Sequence, residues 1–249
     1  MGKHKPLPPI GARIIKSSLG SLICVGIYFI RELLPTMEPL IGINLKLPVI
    51  AMDGAVLYDI RENRYLDVFA LEQLAAVQVE GIIEAEGAHA FVNVLRDNTL
   101  LIYYGEFRND AERDMFEHLR RSPYRNYTGK RFRNDAEREQ VLYIMALTRT
   151  DHPQKITGRI QEQLGARVRV MLYPASEYEG YTDLKVYAAD ACKANMLKIL
   201  QTRIGAERVI TFGSIPGQYD VYVHDDGGNS AVKMLKKLYE GKKLEDVLN

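Results

Sequence analysis

Apolar positions change their spacing several times along the chain, and each change predicts a new element. Between Ile10 and Cys24, apolar residues at 10, 14, 15, 19, 22 and 23 follow a helical period, predicting a helix with one face on a core. Gly26 ends that pattern, and Ile27-Tyr28-Phe29-Ile30 is β-branched and aromatic enough for a short buried strand. Residues 32–41 predict a helix shortened or kinked by Pro35 and Pro39. The stretch Leu47 to Asp59, LPVIAMDGAVLYD, then predicts a buried strand, a tight loop at Met52-Asp53-Gly54-Ala55, and a short strand leaving it. Strand, helix and strand in alternation imply a parallel sheet with crossover helices.

From Arg61 the pattern changes. Leu71, Leu74, Ala75, Val79, Ile82 and Ile83 form one stripe of an amphipathic helix over 71–86. Residues 90–95 and 100–104 flank Arg96-Asp97-Asn98-Thr99, which reads as a β-hairpin turn. Helices are expected over 110–121 and 153–164, the second closed by Gly165, and strands over 141–147, 168–172 and 184–187. Residues 61–184 are therefore read as an α+β domain inserted into an α/β one spanning 10–60 and 185–249. A flexible lead-in at 1–9 with three prolines precedes them. The segment FRNDAER occurs at 107–113 and again at 132–138, and reads as one helix start used twice.

Alternation returns at the end of the chain. A helix is predicted over 191–204, with Met196, Leu197, Leu200 and Ile204 inward and Gly205 closing it. A strand over 208–212 runs into the loop Gly213-Ser214-Ile215-Pro216-Gly217, and a further strand covers 220–223. The last predicted helix carries Lys233, Lys236, Lys237, Lys242 and Lys243, read as a solvated basic face.

Composition narrows the functional classes. The 249 residues carry a formal net charge of +1, which gives no global field toward nucleic acid or an anionic membrane. Cys24 and Cys192 lie far apart with no metal-ligand spacing, so neither a disulfide framework nor a zinc site is expected and a reducing cytoplasm is. The longest apolar run, Leu19 to Ile30, is 12 residues. That is well short of the roughly 20 that span a bilayer.

Chemistry is best placed at the 52–55 loop, where Gly54 permits close backbone approach and Asp53 offers a carboxylate. LPVIAMDGAVLYD at 47–59, Ala191-Cys192-Lys193-Ala194 opening a helix, and VITFGSIPGQY at 209–219 together resemble the haloacid dehalogenase (HAD) superfamily, in its Cof-like sugar-phosphatase branch. The resemblance covers roughly residues 10–240. It implies a Rossmann-like α/β core with a large inserted cap, Mg²⁺ as cofactor, and a small phosphorylated metabolite as ligand. On this reading Lys193, Asp53, Gly54 and Ser214 line a phosphate pocket, and Asp220 is the nearest candidate metal ligand.

The departures from the family pattern are chemical. Its DxDGT motif supplies a nucleophilic Asp and an acid/base Asp, and this chain has no such motif. Ala51 falls at the nucleophile position of the only look-alike. Asp53 aligns better with an asparagine of the family, which implies a first strand before residue 10. The expected phosphate-binding hydroxyl is replaced by Arg31-Glu32-Leu33, with Thr36 a poor substitute, and Ser214, Gly217 and Gln218 stand where metal-binding Asp and Asn belong. A phosphatase impaired in catalysis, or a non-catalytic module for phosphorylated ligands or protein partners, is the expectation.

Overall fold

The structure, a computed structural model, describes residues 11–17, 23–28, 47–121, 125–129, 139–175, 177–213 and 221–222. The predicted helix over 32–41, Thr36, the second FRNDAER segment, Ser214, Gly217, Gln218, Asp220 and the basic C-terminal stretch lie outside the described residues. Those that are described fall into two compact units, divided between Leu66 and Asp67 and between Cys192 and Lys193.

In the first unit, strands β1 (Gly11–Ser17) and β2 (Ile23–Tyr28) pair antiparallel from Gly11 opposite Tyr28 to Lys16 opposite Ile23. The helix expected over 10–24 is thus replaced by two strands. Ile14, Ile15, Ile23, Val25 and Ile27 are β-branched, and their strand preference outweighs a loose helical spacing. Gly26 lies inside β2 opposite Arg13 rather than ending an element. Strand β2 runs parallel to β3 (Val49–Ala51), and β3 turns back as a hairpin into β4 (Val56–Asp59), with Val49 opposite Tyr58 and Ala51 opposite Val56. Strands β5 (Arg64–Val68), β12 (Ala206–Gly213) and β13 (Val221–Tyr222) complete the order β13-β12-β1-β2-β3-β4-β5. Strand β1 runs antiparallel to both β12 and β2. The sheet is therefore mixed.

The second unit contains a six-stranded sheet in the order β10-β11-β9-β6-β7-β8. Its strands are β6 (Phe91–Arg96), β7 (Thr99–Tyr103), β8 (Asn126–Thr128), β9 (Gln140–Arg149), β10 (Val168–Pro174) and β11 (Tyr181–Ala188). The hairpin expected at 96–99 is present: Arg96 faces Thr99, and Asp97 and Asn98 have φ of 49° and 62°. Two residues with positive φ between paired strands match the twist of a β-ribbon. Between β6 and β9 the register shifts so that Asn93 faces Tyr143 while Val94 faces Val141, leaving Leu142 as a bulge.

Helices α1 (Gln73–Ala85) and α3 (Pro153–Leu164) bury Ala75, Val79, Ile83, Ile156, Ile160 and Leu164 against one sheet face, where they meet Val92, Ile144, Leu184 and Val186. Pro at the first turn and Gly165, with φ of 51°, close the ends of α3 where the sequence placed them. Leu74, assigned inward from the sequence, is instead 63% exposed. Helix α2 (Asp110–Leu119) packs Met115 with Phe91, Ile102 and Leu147 on the opposite face. Among the described residues no helix is long and apolar enough to cross a membrane.

Candidate functional site

Strand β3 ends at Ala51, and Met52, Asp53 and Gly54 follow as a single 3-10 turn with φ of 52°, 55° and 93°. Three successive left-handed residues leave the strand abruptly, and the Ala55 N–H closes the turn on the Met52 carbonyl at 2.9 Å. Glycine adopts this conformation freely and Asp tolerates it, whereas Met52 pays about 1–2 kcal/mol. Burial of the Met52 side chain, 1% exposed, and the β3–β4 ladder hold it there. Asp53 is 2% exposed, so the Asp-Gly turn is an interior one.

Helix α4 (Lys193–Ile204) packs against this turn and against β3, β4 and β12, anchored by buried Met196 and Leu200. Lys193 is its first residue, and its first turn carries no acidic side chain. The positive end of a 12-residue helix and a lysine ammonium therefore stand in the same unit as the Asp53–Gly54 turn. Of the predicted site residues, the structure brings Asp53, Gly54 and the helix opened by Lys193 together. Strand β12 ends at Gly213, next to Ser214 in sequence.

Strands β12, β2 and β3 run in one direction, so Gly213, Tyr28 and Ala51 lie toward the same edge of the sheet. Between β12 and β2 that edge carries Gly11 and Ala12 of β1, and β1 contains no carboxylate. Among the described residues no three His, Cys, Asp or Glu side chains converge. A hard divalent cation asks for about six oxygen ligands, and the described turn offers it the carboxylate of Asp53. The described donors do not fit such an ion.

Sequence patterning missed the buried polar groups of the second unit. Glu112, fully buried, accepts hydrogen bonds from the backbone N–H of His89 at 3.0 Å and of Arg108 at 2.6 Å. Its own N–H donates to Asn109 Oδ1 at 2.9 Å, so the first FRNDAER copy does start a helix, capped by Asn109. His89 Nε2 accepts from the Gly105 N–H at 3.2 Å, and its ring meets Phe91 and Phe107 edge-on. Burial, and secondarily the Arg108 guanidinium, lower its pKa to about 4. Glu139 accepts from the Tyr103 hydroxyl at 2.5 Å and pairs with Arg96 at 3.6 Å. The hint in the sequence was the Asn-x-x-Glu spacing of Asn109 and Glu112, which signals a capping box.

A family model of haloacid dehalogenase-like hydrolases matches residues 30–215. No curated protein matches. Among solved structures, a protein from Eubacterium rectale aligns at 12% identity and a TM-score of 0.52, over 70% of this chain and 60% of its own. A haloacid dehalogenase-like hydrolase from Bacteroides thetaiotaomicron aligns at 10% identity and a TM-score of 0.50, over 69% and 59%. A HAD subclass IIB sugar phosphatase aligns at 13% identity and a TM-score of 0.48, over 70% and 59%. The chain thus spans about three fifths of the length of the structures it matches. By the extent of the family match, and with a fold that agrees, the chain belongs to the haloacid dehalogenase-like hydrolases.

Proposed function

We propose that this chain binds a small phosphorylated metabolite in the first unit and turns it over poorly or not at all. The observation that carries this reading is the packing of α4, opened by Lys193, against the left-handed turn at Asp53 and Gly54. A helix N-terminus with a lysine at its first position suits a phosphate dianion, and Gly54 lets backbone come close to it. Ser214 adds a hydroxyl after β12, and Asp220 a carboxylate, on the same reading.

Impairment rests on the missing nucleophile. Attack on phosphorus needs a carboxylate at the sheet edge, and β1 supplies Gly11 and Ala12 there. In the family Mg²⁺ supplies charge neutralisation at the transferring phosphoryl group, and the described donors here do not fit that ion. The second unit serves as the cap that selects the ligand, and the free thiol of Cys192 suits a reducing cytoplasm.

The test is hydrolysis of p-nitrophenyl phosphate with Mg²⁺, run beside thermal protection by inorganic phosphate. Expected is no turnover above background, together with a stabilisation that reaches about 2.7 kcal/mol at a hundredfold excess over Kd. Lys193→Ala should weaken that protection. Mg²⁺-dependent turnover that falls in Lys193→Ala would instead establish an active phosphatase and sink the impairment.

A further inference from the structure

Lys185 occupies the middle of the second unit's sheet, on β11 between β10 and β9, and is only 9% exposed. Its direct cross-strand neighbours are Met171 and Met145. Tyr173 and Tyr143 are its diagonal neighbours, and its Nζ lies 5.5 Å and 5.6 Å from their ring centroids. Among the described residues no carboxylate forms an ion pair with it, and its contacts are the two rings. Two ring faces attract an ammonium, but they replace only part of the hydration that burial removes.

The surroundings share that character. Arg169, Tyr187, Tyr143 and Asn93 stand opposite one another in successive strands. The Arg169 Cζ lies 5.2 Å from the Tyr187 ring, and the Tyr187 and Tyr143 rings are 5.1 Å apart. Asn93, 2% exposed, donates its amide to the Phe91 carbonyl at 3.3 Å, while its Oδ1 has no hydrogen-bond partner. A buried acceptor left unmade is costly, as is a buried cation without a counter-charge. Both deficits lie on the sheet face away from α1 and α3, and both are met by one kind of molecule.

We propose that Lys185 anchors an anion-binding site on the second unit, taking a phosphate or carboxylate group of a small hydroxylated ligand between Tyr143 and Tyr173. A ligand hydroxyl donates to Asn93 Oδ1, and Arg169 adds positive charge beside the row. The proposal deepens the reading above and rests on it for the identity of the ligand; the site itself rests on residues of the second unit.

Thermal shift of the full chain with inorganic phosphate, and separately with acetate, tests it. Lys185→Met should raise the half-saturating phosphate concentration by about tenfold or more. It should also raise Tm in anion-free buffer, because methionine fills similar space without a buried charge. Lys185→Arg should keep the phosphate response within about threefold. A response to acetate as well assigns a general oxyanion site, and a response to phosphate alone assigns a phosphoryl site. A parental phosphate response in Lys185→Met overturns the proposal, as does the absence of any anion response in the parent. If Lys193→Ala alone removes the response, this site falls while the preceding reading stands; if only Lys185→Met removes it, the preceding reading falls and this site stands.

Discussion

On the proposed reading, Asp53 puts a negative charge beside a bound phosphate. If the turn at 52–54 faces a phosphate, Asp53→Asn should strengthen phosphate binding about fivefold, equivalent to about 1 kcal/mol, which titration calorimetry will measure. An unchanged or weaker affinity would detach Asp53 from the pocket. Gly54→Ala acts through the backbone instead: with φ of 93°, a Cβ should cost about 1–2 kcal/mol in denaturant unfolding. His89 gives a residue-scale pH effect of definite sign. Its folded pKa of about 4 lies below the 6.5 of an exposed histidine, so the unfolded chain binds the proton more readily between those values. The stability due to neutral His89 is full above pH 6.5 and is lost as pH falls toward 4, on the order of 3 kcal/mol. His89→Gln should flatten Tm against pH across that window. The sequence offered Asp53 and Gly54 as a site because composition marks a turn. It did not reveal that Met52 and Asp53 would be interior, since the burial comes from β3, β4 and α4 packing around them.

At the scale of elements, the two outer helices of the second unit make opposite predictions. Ile160, fully buried between α3 and the sheet, should cost about 2–5 kcal/mol on truncation to Ala. Leu74→Glu, on the exposed side of α1, should change stability by about 0.5 kcal/mol or less, and the pair can be read in one urea series. Leu74 also shows where periodicity fails: α1 is apolar nearly all round, so the stripe has no polar boundary to locate its edge. Elements with strong local chemistry were legible. Proline and glycine fixed both ends of α3, and Asp97-Asn98 fixed the hairpin, because each residue type meets a backbone requirement directly. Residues 10–24 were misread as helix because a loose period of apolar residues fits two templates. Pairing with β12, some two hundred residues away, decides between them, and no local window contains that partner.

For the whole molecule, the sequence resemblance located the family through residues 47–59, and the family match bears it out. The candidate site was less legible, because the helix opened by Lys193 reaches the Asp53–Gly54 turn only through the packing of α4, and Lys185 betrays nothing in a strand of alternating residues. Chain connectivity has a further effect. The second unit is one continuous segment, while β1 completes its ladder only with β12, which is synthesised some two hundred residues later. Long-range pairing of that kind is slow and follows local pairing. On the ribosome the second unit should therefore acquire its structure first, with β1 waiting unpaired on one side until β12 emerges. Pulse-labelled hydrogen exchange during refolding should protect the amides of β9 and β11 before those of β1. Simultaneous protection would mean that the two units fold as one.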